Sequence, residues 1–145
     1  MNQVKVLLCV LGNDIHVVAN RMLDLICRER GCVTVNLGAL TPADEVIEAV
    51  ADNRPDLLLV STLNGQGYPE ASRLMASIKE NIQAAYRPAI WLGGNLFVGD
   101  YNDSEKQRYL DLGFDKVYSR PRNFNKFSSD LDDIINILTF TAETV

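Results

Sequence analysis

The chain has 145 residues, 47% of them apolar, and a formal net charge of -5. That length suits a single domain, residues 1–145, with a core large enough to fold without disulfide or metal staples. The acidic balance argues against a nucleic-acid partner, and no segment is long and apolar enough to span a membrane.

The first strand is read at Val4 to Leu11, a nearly continuous apolar run of the kind buried on both faces. A helix follows from about Val17 to Arg30, with Val18, Met22, Leu25 and Ile26 on one face and Gly31 as its stop. Cys32 to Leu37 is the second strand. Thr41-Pro42-Ala43-Asp44 then supplies an N-cap, a proline at the first helical position and an acid in the first turn. Val46, Ile47, Val50 and Ala51 form that helix's apolar face. Asn53-Arg54-Pro55 breaks the chain ahead of the third strand, Asp56 to Thr62.

The next helix spans roughly Pro69 to Ala84. The fourth strand, Ala89 to Leu92, ends at Gly93-Gly94. Ser104 to Leu112 is a helix with Gly113 past its end, and Lys116 to Tyr118 is a short fifth strand. Phe127, Leu131, Ile134, Ile135 and Leu138 share one face of the last helix. The alternation predicts an α/β fold: a flavodoxin-like (Rossmann-type), doubly wound, five-stranded parallel sheet of order 2-1-3-4-5.

The opening residues, Met1 to Lys5, lack a secretory pattern, so a cytoplasmic location is expected. Cys9, Cys27 and Cys32 lack CxxC spacing. They read as small buried hydrophobes in a reducing compartment rather than as disulfide or zinc residues.

Sheets of this kind bind ligands at the carboxyl ends of their strands, beside the switch point between strands 1 and 3. The loops there are Gly12 to His16, Thr62 to Tyr68 and Gly93 to Gly99, all rich in Gly, Asn, Ser and Asp. His16 is the only histidine of the chain. With Asp14 two residues ahead, it has the layout of an oriented metal ligand, one ring nitrogen free and the other donating to the carboxylate. The same pair serves as well as a helix cap and a polar loop residue. Ser61 can donate to a ligand atom between strand ends, or simply terminate a strand. Gly93 and Gly94 let a flat group approach the backbone, or satisfy turn geometry. Asn64-Gly65-Gln66-Gly67 lacks the Lys-Ser/Thr of a phosphate-binding loop.

Together, Asp14-x-His16, Ser61-x-Leu63 and Gly93-Gly94 resemble the Asp-x-His-x-x-Gly, Ser-x-Leu, Gly-Gly signature of cobalamin (vitamin B12)-binding domains. These bind the cofactor base-off and histidine-on. The likeness extends over Gly65-Gln66-Gly67, Gly93-Gly94-Asn95 and Gly113-Phe114-Asp115-x-Val117-Tyr118. It is strongest to the small subunits of mutases of the glutamate mutase (methylaspartate mutase) kind.

The resemblance implies an isomerase subunit that carries adenosylcobalamin and is inactive without a larger TIM-barrel catalytic subunit. No catalytic residue is then expected on this chain. His16 would be the axial cobalt ligand and Asp14 its hydrogen-bond partner. Asn13, Ile15 and Val17 would lie beneath the corrin. Ser61, Thr62 and Leu63 would meet the buried tail, and Gly93, Gly94, Asn95, Leu96 and Phe97 would line its slot. Phe97, Tyr68 and Asn64 are the candidate surface for the larger subunit.

One position departs from the signature: Ala19 stands where the family has glycine. If the backbone there needs a positive φ, alanine costs about 1 kcal/mol or more. The rival functions are a corrinoid carrier for methyl transfer and a non-catalytic cobalamin-binding or sensor module. A response regulator is disfavoured, because Ser61-Thr62 stands where a phosphoacceptor is needed.

Overall fold

Unbroken apolar runs build the centre of the sheet. A computed structural model describes residues 3–11, 18–62, 68–82, 86–94, 103–119 and 124–144. Its strands are β1 (Lys5–Val10), β2 (Val33–Asn36), β3 (Leu57–Thr62), β4 (Ala89–Gly94) and β5 (Lys116–Ser119). They form one parallel sheet in the order β2-β1-β3-β4-β5. All six residues of β3 are buried, as are the last five of β1. This is the burial expected of parallel strands covered on both faces.

The helices are α1 (Val18–Glu29), α2 (Ala43–Asn53), α3 (Tyr68–Asn81), α4 (Asp103–Asp111) and α5 (Asn125–Thr144). Alternate strand residues feed two cores. Leu7, Cys9, Leu58, Val60, Ile90 and Leu92 pack with Val46, Val50, Leu74 and Tyr109 from α2, α3 and α4. Val6, Leu8, Leu57, Leu59 and Trp91 pack with Cys27 of α1 and Phe127 and Leu131 of α5. Ile134, Ile135 and Leu138 extend that contact, so the apolar stripe read for the last helix is the one that packs.

Three local readings change. Of the stripe expected on α1, Ile26 packs on the sheet and Met22 and Leu25 do not. Met22 and Leu25 are 41% and 51% exposed. Leu23, Ile26 and Cys27 face the sheet, together with buried Asn20 and Asp24. These two polar residues are stable inside because β2 supplies partners: Asn36 Nδ2 donates to Asn20 Oδ1 at 2.7 Å and to Asp24 Oδ2 at 3.0 Å. Arg28 closes the network with two bonds to Asp24, at 2.9 and 3.0 Å.

Thr41 does not cap α2. Its N–H bonds to Val10 O at 3.1 Å, its hydroxyl donates to Gly38 O at 3.1 Å, and it bridges Leu11 in the sheet. The helix therefore starts one residue later, with Pro42 as an N-cap that makes no side-chain hydrogen bond. Ala51, placed on the core face of α2 from the sequence, is exposed.

Gly31 ends α1 as expected, and the reason is a positive φ of 82°. Gly31 N–H bonds to Arg28 O at 3.0 Å and Cys32 N–H to Cys27 O at 3.1 Å. This is the double-bonded Schellman closure that glycine permits without steric cost. All three cysteines are buried with free thiols. Burial pushes the Cys9 thiol up to about 12, which leaves it protonated and unreactive.

Candidate functional site

The sheet register sets out the site. Val10, Ser61, Gly93 and Tyr118 lie side by side across β1, β3, β4 and β5, one row from the carboxyl edge. Strand alternation puts this row on the same face as Leu8, Leu59 and Trp91, under α1 and α5. The row is small in the middle and large at both ends. Ser61 is 2% exposed.

Gly93 lies inside β4 and has no positive φ. A Cβ built there would meet only Tyr118 Cβ at 3.6 Å and its carbonyl oxygen at 3.7 Å, both ordinary contacts. Neither turn geometry nor crowding among the described residues requires this glycine. A glycine inside a strand lets another group approach the backbone closely.

Tyr118 walls the row. Its ring packs edge-on against Trp91 and Phe127, at centroid distances of 6.0 Å in each case, and Trp91 meets Phe127 at 5.9 Å. The Tyr118 hydroxyl donates to Asp130 Oδ2 at 2.7 Å, and Lys126 Nζ donates to Asp130 Oδ1 at 3.1 Å. Burial pushes the Asp130 carboxyl up. The hydrogen bonds from Tyr118 and Lys126, with the charges of Lys116 and Lys126, outweigh it and hold the group below its ordinary value.

A carboxylate held low in the folded state stabilises the fold above its unfolded pKa of about 3.9, and that stability is lost as pH falls through the lower native value. The melting-temperature gap between wild type and Asp130→Asn is therefore expected to narrow as pH drops from about 5 to about 2. A gap independent of pH would contradict this.

The anchors of the three signature segments share this edge. Leu11, the last described residue before the first loop, donates its N–H to Ser61 O at 3.0 Å. The chain returns at Val18 to begin α1. Ser61 pairs with Gly93 and Thr62 with Gly94. Ser61, Thr62, Gly93 and Gly94 are thus brought together. Asn13, Asp14, Ile15, His16, Val17, Leu63, Asn64, Asn95, Leu96 and Phe97 lie outside the described residues.

Ala19 lies in α1 and is not among the positive-φ residues, so a methyl group there costs the backbone nothing. Tyr68, read as partner surface, is half-buried. Its ring meets Tyr109 edge-on at 5.4 Å, and the Arg108 guanidinium lies 4.3 Å from its centroid. The sequence reading missed Asn20, Asp24 and Asn36. The available signal was an Asn and an Asp four residues apart inside a helix, where both residue types are poor formers and need a partner.

The pattern of the B12 binding domain family matches residues 4–118. The chain belongs to that family. This B12-binding domain is 35% identical over 117 residues to the glutamate mutase sigma subunit of Treponema denticola, covering 80% of this chain and 83% of that protein. It is 33% identical over 139 residues to the sigma subunit of Clostridium tetani, covering 94% and 99%. A cobalamin-binding protein of Desulfitobacterium hafniense superposes with a TM-score of 0.67 over 80% of this chain and 53% of that one. At 16% identity, that likeness is one of fold. No helix among the described residues of the B12-binding domain is long and apolar enough to cross a membrane.

Proposed function

We propose that this chain is the cobalamin-carrying subunit of an adenosylcobalamin-dependent carbon-skeleton mutase that interconverts L-glutamate and L-threo-3-methylaspartate. The observation that carries the reading is the mid-strand glycine Gly93. It is not required by its own backbone, and it lies beside buried Ser61 at the edge from which the Asp14–His16 loop departs. Relatives named glutamate mutase sigma subunit, matched over nearly their whole length, support it.

In this reading the bound cofactor supplies radical chemistry through its cobalt–carbon bond. The chain's residues hold and orient it. His16 presents a neutral ring nitrogen to the cobalt, and Asp14 accepts the proton of the other nitrogen, which fixes the tautomer. Asn13, Ile15 and Val17 would help to hold the corrin. Ser61 donates to the detached base of the nucleotide tail, beside Thr62 and Leu63. Gly93 and Gly94 leave room for that base, and Asn95, Leu96 and Phe97 flank the mouth. Trp91 and Leu59 are buried in the apolar core one row below. The substrate is held by a larger TIM-barrel subunit that closes over the corrin.

The test has two steps. Adenosylcobalamin should be retained with the purified chain on ultrafiltration, and the Co(II) form should carry nitrogen splitting that follows 15N-histidine labelling. Addition of a clostridial glutamate mutase large subunit should then give methylaspartate formation that depends on both proteins. Passage of all the cofactor through the filter at saturating protein would sink the cobalamin reading, and binding without turnover would sink the mutase assignment.

A further inference from the structure

Cys27 and Cys32 stand at a spacing that carries no redox or metal motif in the sequence. The end of α1 makes them neighbours. Gly31 turns the chain back with its φ of 82°, and Cys32 N–H bonds to Cys27 O at 3.1 Å. In a Schellman closure the two residues joined by that bond are also residues whose side chains meet. By standard backbone dimensions the bond holds their Cα atoms within about 7 Å, the limit for a disulfide. Both side chains enter the same core cluster.

The two sulfurs are not equivalent. The Cys27 thiol donates a hydrogen bond to the Cys32 sulfur. That bond, and then burial, push the Cys27 thiol up. The same bond, with the charge of Arg30, outweighs burial and holds the Cys32 thiol below its ordinary value. Exposure ranks the pair in the same order, with Cys27 at 0% and Cys32 at 8%. Cys32 is therefore the sulfur with thiolate character and a path to solvent, and Cys27 is the partner behind it. Cys9 is the contrast: it is fully buried in the core on the other face of the sheet.

We propose that Cys27 and Cys32 form a redox site, which a low-molecular-weight disulfide such as oxidised glutathione converts reversibly to a disulfide. Cys32 attacks one glutathione sulfur, and a glutathione thiolate leaves. The Cys27 sulfur then attacks the Cys32 sulfur, its proton passes to solvent, and the second glutathione thiolate leaves. The two protein thiols lose two electrons and two protons, and the glutathione disulfide gains them as two thiols. The bridge ties the end of α1 to the residue before β2. Reversible bridges of this kind are the usual form of disulfide in a reducing compartment. The site stands apart from the cobalamin reading.

The test equilibrates the folded, reduced chain with glutathione at graded ratios of disulfide to thiol, then quenches it in acid and alkylates it after unfolding. Wild type should lose two of its three alkylatable thiols. Trypsin cuts after Arg28 and Arg30, so the two cysteines fall on separate peptides that only a disulfide joins. Those peptides should appear joined, and dithiothreitol should separate them. Cys27→Ser should stop with one glutathione on Cys32. Cys32→Ser should leave Cys27 reduced, and Cys9→Ala should bridge as wild type does. Alanine replaces serine in any variant whose melting curve shows unfolding.

Three alkylatable thiols in wild type at the most oxidising ratio would overturn the proposal. So would a bridge to Cys9, or a glutathione adduct that persists on wild-type Cys32. Glutathione on Cys27 in Cys32→Ser would overturn the order of attack.

Discussion

His16→Ala is expected to abolish protein-nitrogen coordination of cobalt while leaving the fold intact. The loop between Leu11 and Val18 carries the chain's sole histidine, so no other imidazole can replace it. In the reduced Co(II) form, the electron paramagnetic resonance spectrum of wild type should carry nitrogen splitting that changes on 15N-histidine labelling. The variant should lose it. Asp14→Asn should keep the splitting but weaken cofactor binding by about 10- to 100-fold, the usual effect of removing a ligand's orienting partner. Nitrogen splitting that persists in His16→Ala would refute the ligand assignment. An equally tight Asp14→Asn would refute the orienting role.

Gly93→Ala is expected to stabilise the isolated chain and to block the cofactor. The two effects have opposite signs, and this separates a ligand role from a structural one. Among the described residues, a Cβ at Gly93 meets only ordinary contacts at 3.6 and 3.7 Å. Glycine within a strand costs roughly 0.5–1 kcal/mol relative to alanine. The melting temperature should therefore hold or rise. A flat group seated over the strand would be overpacked by about 1–3 kcal/mol, which is about 10- to 100-fold in affinity. The measurement pairs a thermal melt with a cobalamin titration. Wild-type affinity in Gly93→Ala would remove Gly93 from the site. A melting temperature that falls together with affinity would point to a structural glycine.

The parallel class was legible from alternation, because apolar runs such as Leu57 to Val60 read as central strands and each needs a helical crossover. The order 2-1-3-4-5 came from the flavodoxin-like fold expected at this size, and the sheet has it. The glycines show where legibility stops. Gly31 was recognised as a helix stop, and its φ of 82° is the physical cause. Gly93 allowed two readings in the sequence, turn or close approach. Only its pairing with Ser61 and Tyr118 inside the sheet removes the turn.

The α1 stripe was partly misread for a related reason. Hydrophobic counting treats Asn20 and Asp24 as solvent-facing. Their burial depends on Asn36, 16 and 12 residues away in sequence and on another element. Thr41 was read as a cap from local chemistry, but a long-range hydrogen bond to Val10 took its backbone N–H into the sheet.

The sequence by itself determined the α/β class, the parallel sheet and the placing of Ser61-Thr62 and Gly93-Gly94 at one sheet edge. These depend on periodicity and on residue types that carry their own conformational limits. Tertiary structure decided which face of α1 is buried and which glycine is free of backbone duty. Each of these depends on a partner far away in sequence. A hydrogen bond between α1 and β2 can bury an asparagine, and a strand neighbour can relieve a glycine of its turn. Neither effect leaves a local pattern to read.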